Sequence, residues 1–172
     1  MSDDLKQAIR DVHDFPKEGI VFKDISPVLE DPILFRKACE LLQETAAEQK
    51  IDKVVGIDAR GFIFAAPIAL GLDAGFVPVR KKGKLPWRTI ATEYELEYGS
   101  NTVEMHEDAI LPGERVMLVD DLLATGGTAA AAVKLLHTLK AEVVCVSFLV
   151  ELSFLNGREK INCNTIHSIL TY

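Results

Sequence analysis

The chain has 172 residues, 48% of them hydrophobic and 26% charged, with a formal net charge of −7. That length suits one domain with a substantial core, and the acidic balance argues against wholesale nucleic-acid binding. No apolar run approaches the ~20 residues of a membrane span, the opening Met-Ser-Asp-Asp-Leu-Lys is not a signal peptide, and Cys39, Cys145 and Cys163 give neither a disulfide framework nor metal-ligand spacing, so no membrane and a reducing cytoplasm are expected.

Leu5, Ile9 and Val12 stand at helical spacing and predict a short amphipathic helix over residues 3–12, broken by His13 to Gly19. Ile20 to Pro27 reads as an extended apolar surface segment. Asp31-Pro32 is a helix start, a capping side chain followed by Pro at the first helical position, and Phe35, Ala38, Leu41 and Leu42 carry one face to about Gln49. Lys53 to Ile57 predicts a strand that ends in Asp58-Ala59-Arg60-Gly61 and enters an apolar helix over residues 62–70, with Gly71 as its stop.

Phe76 to Val79 predicts a further strand, running into a segment (residues 80–88) with five basic residues and no acid. Residues 89–98 and 102–106 alternate weakly around Gly99-Ser100-Asn101. This predicts a polar hairpin that projects from the body rather than joining the core, the kind of excursion that serves as a lid.

Val116 to Val119 is wholly apolar, as in a strand buried on both faces, and Asp120 and Asp121 are expected where that strand leaves the core. Ala124-Thr125-Gly126-Gly127-Thr128 then opens an alanine-rich helix. Strand, small-residue turn and helix N-terminus make an anion site, because the first N–H groups of a helix lack partners and its dipole favours negative charge. No Lys follows the glycines as in a Walker loop, and GxGxxG does not match either. Carboxylates repel phosphate but accept hydrogen bonds from vicinal hydroxyls, so turn and acid pair together suit a sugar phosphate. Glu142 to Val150 is another apolar strand candidate, residues 152–160 are short and helical or irregular, and Thr165 to Leu170 is a final strand. Strands alternating with helices imply a mostly parallel sheet covered on both faces.

Arg60 and the basic run from Arg80 to Lys84 both follow strands, and ligands of such sheets bind beyond the carboxyl ends. They add a second anionic end to the ligand. A ribose with a 5-phosphate and a polyanion on C1 satisfies all three features, which describes 5-phosphoribosyl 1-pyrophosphate. Mg²⁺ is expected to bridge its pyrophosphate and ribose oxygens as a hard cation keeping most of its waters.

Val116 to Thr128 resembles the signature of the type I phosphoribosyltransferases. Residues 15–27, 56–62, 80–86, 96–99, 119–128 and Gly157-Arg158-Glu159-Lys160 are similar to segments of those members that act on adenine. The resemblance implies an α/β fold, Rossmann-like, with a mostly parallel central sheet flanked by helices. One domain over residues 1–172 would include a small N-terminal hood (1–30) and a flexible lid hairpin (84–108). It implies purine salvage: transfer of the 5-phosphoribosyl group to adenine, giving AMP and pyrophosphate, in a cytoplasmic homodimer, with Mg²⁺ carried by the substrate rather than by direct protein ligands.

The resemblance also implies roles. Ala124, Thr125, Gly126, Gly127 and Thr128 would bind the 5-phosphate, and Asp120 and Asp121 the ribose hydroxyls. Ala59, Arg60, Arg80 and Lys84 would hold pyrophosphate, with a non-proline cis peptide at the Ala59-Arg60 turn and Arg60 counted as catalytic. Glu97 would handle the proton at the purine, with Tyr98 beside it on the lid. Phe22 would stack on the base, while the backbone of Val21 and Lys23 reads its edge. The chain departs from the pattern at Lys23, where Arg is common, and at Trp87-Arg88 in the lid. Two alternatives stay open. Lys23 could donate to the O6 of hypoxanthine or xanthine, and a regulatory module could sense the same sugar pyrophosphate, although the net charge and the presence of Glu97 and Tyr98 speak against the latter.

Overall fold

The computed structural model describes residues 2–95 and 99–172, and the chain falls into two compact units, Met1–Leu41 and Leu42–Tyr172. The first unit opens with α1 (Asp3–Ala8), four residues shorter than the helix expected. Arg10–His13 instead form β1, paired antiparallel with β2 (Val21–Asp24) from Arg10↔Asp24 to His13↔Val21. An isolated helix of a few turns is marginal, and a strand partner satisfies the same backbone groups. The segment read as merely extended supplies that partner and then coils into α2 (Ser26–Glu30). Leu5, Ile9, Ile25 and Val28 are buried. The helix start at Asp31 is as expected: its Oδ1 accepts from the N–H of Ile33 at 2.8 Å and of Leu34 at 3.0 Å, at the head of α3 (Pro32–Glu44). α3 ends short of Gln49 because Thr45, Ala46 and Ala47 bond three residues back, to Leu42, Gln43 and Glu44.

The second unit is built on a seven-stranded sheet. In chain order its elements are β3 (Lys53–Ile57), α4 (Arg60–Gly71), β4 (Gly75–Lys81), β5 (Thr89–Glu95), β6 (Ser100–His106), β7 (Arg115–Leu123), α5 (Gly127–Thr138), β8 (Glu142–Glu151) and β9 (Ile166–Thr171), with 3₁₀ turns at Ser153–Leu155 and Gly157–Lys160. The strand order is β5-β6-β4-β3-β7-β8-β9. β4, β3, β7, β8 and β9 are mutually parallel, and β6 is antiparallel to both β4 and β5. The central strands are apolar on both faces, as parallel strands under helices must be: Val54, Val55, Val116, Met117, Leu118 and Val119 have no exposed surface.

The hairpin expected to stand off the core is part of it. β6 joins β4 through Arg80↔Glu104 and Lys81↔Val103, and Val103 and Met105 are buried in the main hydrophobic cluster, with Ile90 and Tyr94 of β5 packed against it. The alternation looked polar because the outward residues of these strands are charged, whereas the inward ones are only a few apolar side chains. Parallel pairing places the C-terminal ends of β4, β3 and β7 along one edge of the sheet, each followed by one of the predicted anion-binding segments.

Candidate active site

β7 does not end at Val119. It continues to Leu123, with Leu122↔Val150 and Leu123↔Glu151 in register with β8. Asp120 and Asp121 therefore lie within the strand rather than beyond it, which corrects the position expected from the apolar run. The ladder to β8 carries the strand through the two acids, and Asp121 is buried. Asp120 Oδ1 accepts from the N–H of Asp121 at 2.9 Å.

The turn after β7 is packed backbone to backbone. Gly126 has φ 79°, and a Cβ there would sit 2.1 Å from the carbonyl oxygen of Gly157. A Cβ on Gly157 would in turn meet the carbonyl of Ala124 at 2.3 Å. No side chain among the described residues caps the start of α5. Its first-turn N–H groups have no acceptor within the helix. A cavity of about 80 Å³ lined by Asp120, Leu122 and residues 123–129 lies at this end, the size for a small anion rather than a whole drug-sized ligand. Thr128 Oγ1 donates to Tyr94 Oη at 3.1 Å.

The cations come from the neighbouring strand ends. Arg60 opens α4, and its Nε lies 2.9 Å from Asp121 Oδ2. Gly61 brings the same helix end onto β7, since a Cβ there would lie 2.8 Å from Asp120 Oδ1 and 3.0 Å from the carbonyl of Val119. The cis peptide expected in this turn is Asp58–Ala59. Arg80 Nε pairs with Asp58 Oδ2 at 3.1 Å, while its Nη1 donates to the carbonyl of Lys84 at 3.2 Å. Lys84 itself is exposed.

Burial sets the electrostatics of the acid pair. It pushes the Asp120 carboxyl well above the usual carboxylate range, the negative charge of Asp121 adds to the rise, and Arg60 opposes it. Burial also raises Asp121, held back chiefly by the charge of Arg60. One guanidinium serves two acids, Asp121 buried and Asp120 partly so.

The structure thus brings together Asp120, Asp121, Arg60 and the turn at 124–128, and joins Arg80 to Asp58 and to the Lys84 backbone. Val21, Phe22 and Lys23 lie in the first unit. There Phe22 meets Phe15 edge to face at 5.2 Å between ring centroids, and Lys23 Nζ lies 2.6 Å from Asp11 Oδ1. Glu97 and Tyr98 fall outside the described residues.

Four supporting residues were given no role by the sequence reading. Asp58 was visible only as part of its turn, yet it orients Arg80. Glu104, buried between Val103 and Met105, accepts from the N–H of Gly83 at 3.0 Å, the N–H of Leu85 at 3.3 Å and Thr89 Oγ1 at 3.3 Å, and so pins the basic loop. An acid in the middle of a buried apolar run was the available signal. Glu151 and Arg158 form a bidentate pair, with Nε–Oε1 and Nη2–Oε2 both at 2.7 Å, beside the Gly157 backbone that supports the turn. A larger cavity of about 670 Å³ opens where β7 and β8 begin, lined in part by Arg115, Glu142 and Cys145, and it contains none of the predicted site residues.

Comparison with known proteins bears on the same residues. The family described as phosphoribosyl transferase domain matches residues 25–162. The adenine phosphoribosyltransferase of Anaeromyxobacter dehalogenans is 56% identical over 172 residues, all of both chains. The crystal structure of adenine phosphoribosyltransferase from Rhodothermus marinus superposes with a TM-score of 0.94 at 55% identity, covering 99% of this chain and 97% of that one. The Saccharomyces cerevisiae enzyme, crystallised with an imino-altritol bisphosphate and adenine, gives 0.93 at 44% identity over 98% and 97% of the two chains.

Proposed function

The chain belongs to the phosphoribosyl transferase family and, within it, to the adenine phosphoribosyltransferases, and on that premise we propose how its residues divide the substrates. The enzyme acts in purine salvage, transferring the 5-phosphoribosyl group of 5-phosphoribosyl 1-pyrophosphate to adenine and giving AMP and pyrophosphate. The observation that carries the division is the contact of two sites: an anion turn at the head of α5, and directly before it an acid pair, Asp121 of it buried, joined to a cation that follows the next strand.

The 5-phosphate takes the N–H groups and hydroxyls of residues 124–128. Asp120 and Asp121 accept from the ribose diol, a clamp on the sugar rather than a general acid and base. Arg60, with the Ala59 backbone, Arg80 and Lys84, receives the pyrophosphate. Displacement at C1 passes through an oxocarbenium-like state, so catalysis consists of holding base and anomeric carbon in line and stabilising the departing charge. Asp121 fixes the Arg60 guanidinium, and Asp58 fixes that of Arg80, before substrate arrives. Such preorganised cations cost no rearrangement during the reaction. Glu97 handles the proton at the purine and Tyr98 acts with it. Residues 1–30 serve as the base-reading segment, and residues 84–108, whose strands β5 and β6 are anchored in the sheet, carry Glu97 and Tyr98 to the substrate, within a single catalytic chain.

Mg²⁺ fits this site as a passenger of the substrate. Among the described residues no group of three or more His, Cys, Asp or Glu could hold a metal. The acids present are oxygen donors suited to a hydrated hard cation. When bound, Mg²⁺ neutralises charge on the leaving pyrophosphate. We place the enzyme in the cytoplasm as a homodimer without a nucleic-acid or membrane partner. The cysteines are free, and no helix among the described residues is long and apolar enough to cross a membrane.

Adenine presents a 6-amino donor and an N1 acceptor, which one strand's C=O and N–H match. A 6-oxopurine needs a donor at O6, and the side chain best placed in sequence to give one, Lys23, is ion-paired with Asp11. The deciding experiment offers adenine, hypoxanthine and xanthine together with 5-phosphoribosyl 1-pyrophosphate and Mg²⁺. AMP is the expected product, and a preference for a 6-oxopurine nucleotide overturns the base assignment.

A further inference from the structure

Tyr94 has no part in the division above, yet it touches the phosphate turn at two consecutive residues. It stands on β5, partly buried against the core. Its ring lies over the start of α5, where a Cβ on Gly127 would come within 3.2 Å of Cδ2, and its hydroxyl accepts from Thr128 Oγ1 at 3.1 Å. The ring is held at the start of α5, and its hydroxyl is engaged by one of the two threonines of the turn.

We propose that Tyr94 is a positioning residue for the 5-phosphate, holding the Thr128 hydroxyl in line and replacing the hydrogen bond that Thr128 gives up when phosphate binds. The inference rests on the assignment of the 5-phosphate to this turn. A threonine hydroxyl has one proton and two lone pairs. In the structure that proton goes to Tyr94. A phosphate dianion is the stronger acceptor and takes it. Thr128 Oγ1 then accepts from the phenol, whose O–H turns toward it. The resulting chain, phenol to threonine to phosphate, polarises in one direction, so each bond strengthens the next. Phenylalanine fills the same space and provides no proton.

The test measures binding of ribose 5-phosphate by calorimetry, and separate KM values for 5-phosphoribosyl 1-pyrophosphate and adenine, in wild type and Tyr94→Phe. The expected result is ribose 5-phosphate binding and a sugar-pyrophosphate KM weakened by about two- to threefold, because the Tyr94–Thr128 bond is present with and without phosphate and only its added strength in the polarised chain is lost. The KM for adenine should stay at its wild-type value, and the melting temperature should fall by no more than a few degrees, the worth of one part-buried hydrogen bond. The same substitution in a Thr128→Ser background keeps that penalty, and in a Thr128→Val background it adds nothing. Unchanged ribose 5-phosphate binding, equal loss for both substrates, or a full additional penalty with Thr128→Val overturns the role of Tyr94 while leaving the substrate assignment standing. Failure of the wild-type enzyme itself to bind ribose 5-phosphate overturns the assignment, and this inference with it.

Discussion

The Nε of Arg60 lies 2.9 Å from Oδ2 of Asp121, a carboxylate with 7% of its side chain exposed, and that one guanidinium is the cation facing two adjacent acids. Both carboxyls are raised above their ordinary range, Asp120 strongly, with burial the first cause in each. A carboxyl raised in the fold binds its proton more tightly there than in the unfolded chain. Stability therefore falls as pH rises from the ordinary carboxylate value through the raised one. Asp120→Asn removes that slope. It should raise the melting temperature at pH 7 by about 2–4 °C, as for ~1 kcal/mol in a domain of this size, while cutting turnover by about 10²-fold or more. Thermal melts from pH 4 to 8 alongside steady-state rates test this, and a variant less stable than wild type at pH 7 refutes it.

Gly126 is required by backbone rather than by composition. Its φ of 79° disfavours any side chain, and a Cβ would lie 2.1 Å from the Gly157 carbonyl, which cannot move as a side-chain tip can. Gly126→Ala should cost about 2 kcal/mol or more and should abolish ribose 5-phosphate binding, because the turn must open to admit the methyl. Chemical denaturation and calorimetry give the two readouts. A variant that binds normally would show that the turn tolerates displacement from the 157–160 segment.

Much of this arrangement was legible in the chain. Val116–Val119 announced itself as a strand buried on both faces by unbroken apolar character, and Asp31-Pro32 as a helix start by capping chemistry. The turn at 124–128 was readable because glycines and hydroxyls at the end of such a strand have few other uses. What escaped notice depended on partners distant in sequence. Nothing local says that β7 continues through Asp120 and Asp121, since the strand is held there by β8, some 28 residues on. Likewise Val12 belongs to a strand only because Phe22 lies opposite it, and Glu104 is buried only because the loop at 83–89 supplies three donors. Periodicity reports which face is apolar. It cannot report who sits across.

Glu151 ends β8 buried, its carboxylate gripped by Arg158, which also donates to the carbonyl of Ile166 at 2.8 Å and to Ser168 Oγ at 3.1 Å. Hydrogen bonding to the guanidinium holds the Glu151 carboxyl below its usual value. A depressed carboxyl contributes stability above its unfolded pKa, and that contribution is lost as pH falls through the folded value. The window here is therefore acid, below about pH 4.5. Glu151→Gln should flatten the melting curve's dependence on pH in that window and lower stability at pH 7 by about 1–2 kcal/mol, since Arg158 loses a charged partner. Because this pair backs Gly157, the same variant should raise the KM for the sugar pyrophosphate more than that for adenine. An unaltered acid limb would assign the acid sensitivity to other carboxylates.

Asp11 and Lys23 face each other across the β1–β2 pair, with Nζ 2.6 Å from Oδ1 and the Asp11 side chain 48% exposed. The Lys23 side chain is only 12% exposed, so Asp11→Ala takes the carboxylate from a largely shielded ammonium and should lower the melting temperature by a few degrees. Its functional effect should fall on base choice. With the carboxylate present, the Lys23 ammonium is drawn to Asp11, and on the proposed assignment a base meets the backbone of residues 21–23, whose C=O and N–H would suit a 6-amino purine. With it gone, the ammonium no longer has that carboxylate and can turn a donor toward the O6 of a 6-oxopurine. One such hydrogen bond to a charged donor is worth enough to raise the hypoxanthine-to-adenine ratio of kcat/KM by about tenfold. Lys23→Met in the same background should return the ratio to its original value, which separates a redirected ammonium from a loosened hairpin. If Asp11→Ala leaves the ratio untouched, the lysine head does not reach the base, and discrimination rests on the strand's own hydrogen-bonding groups.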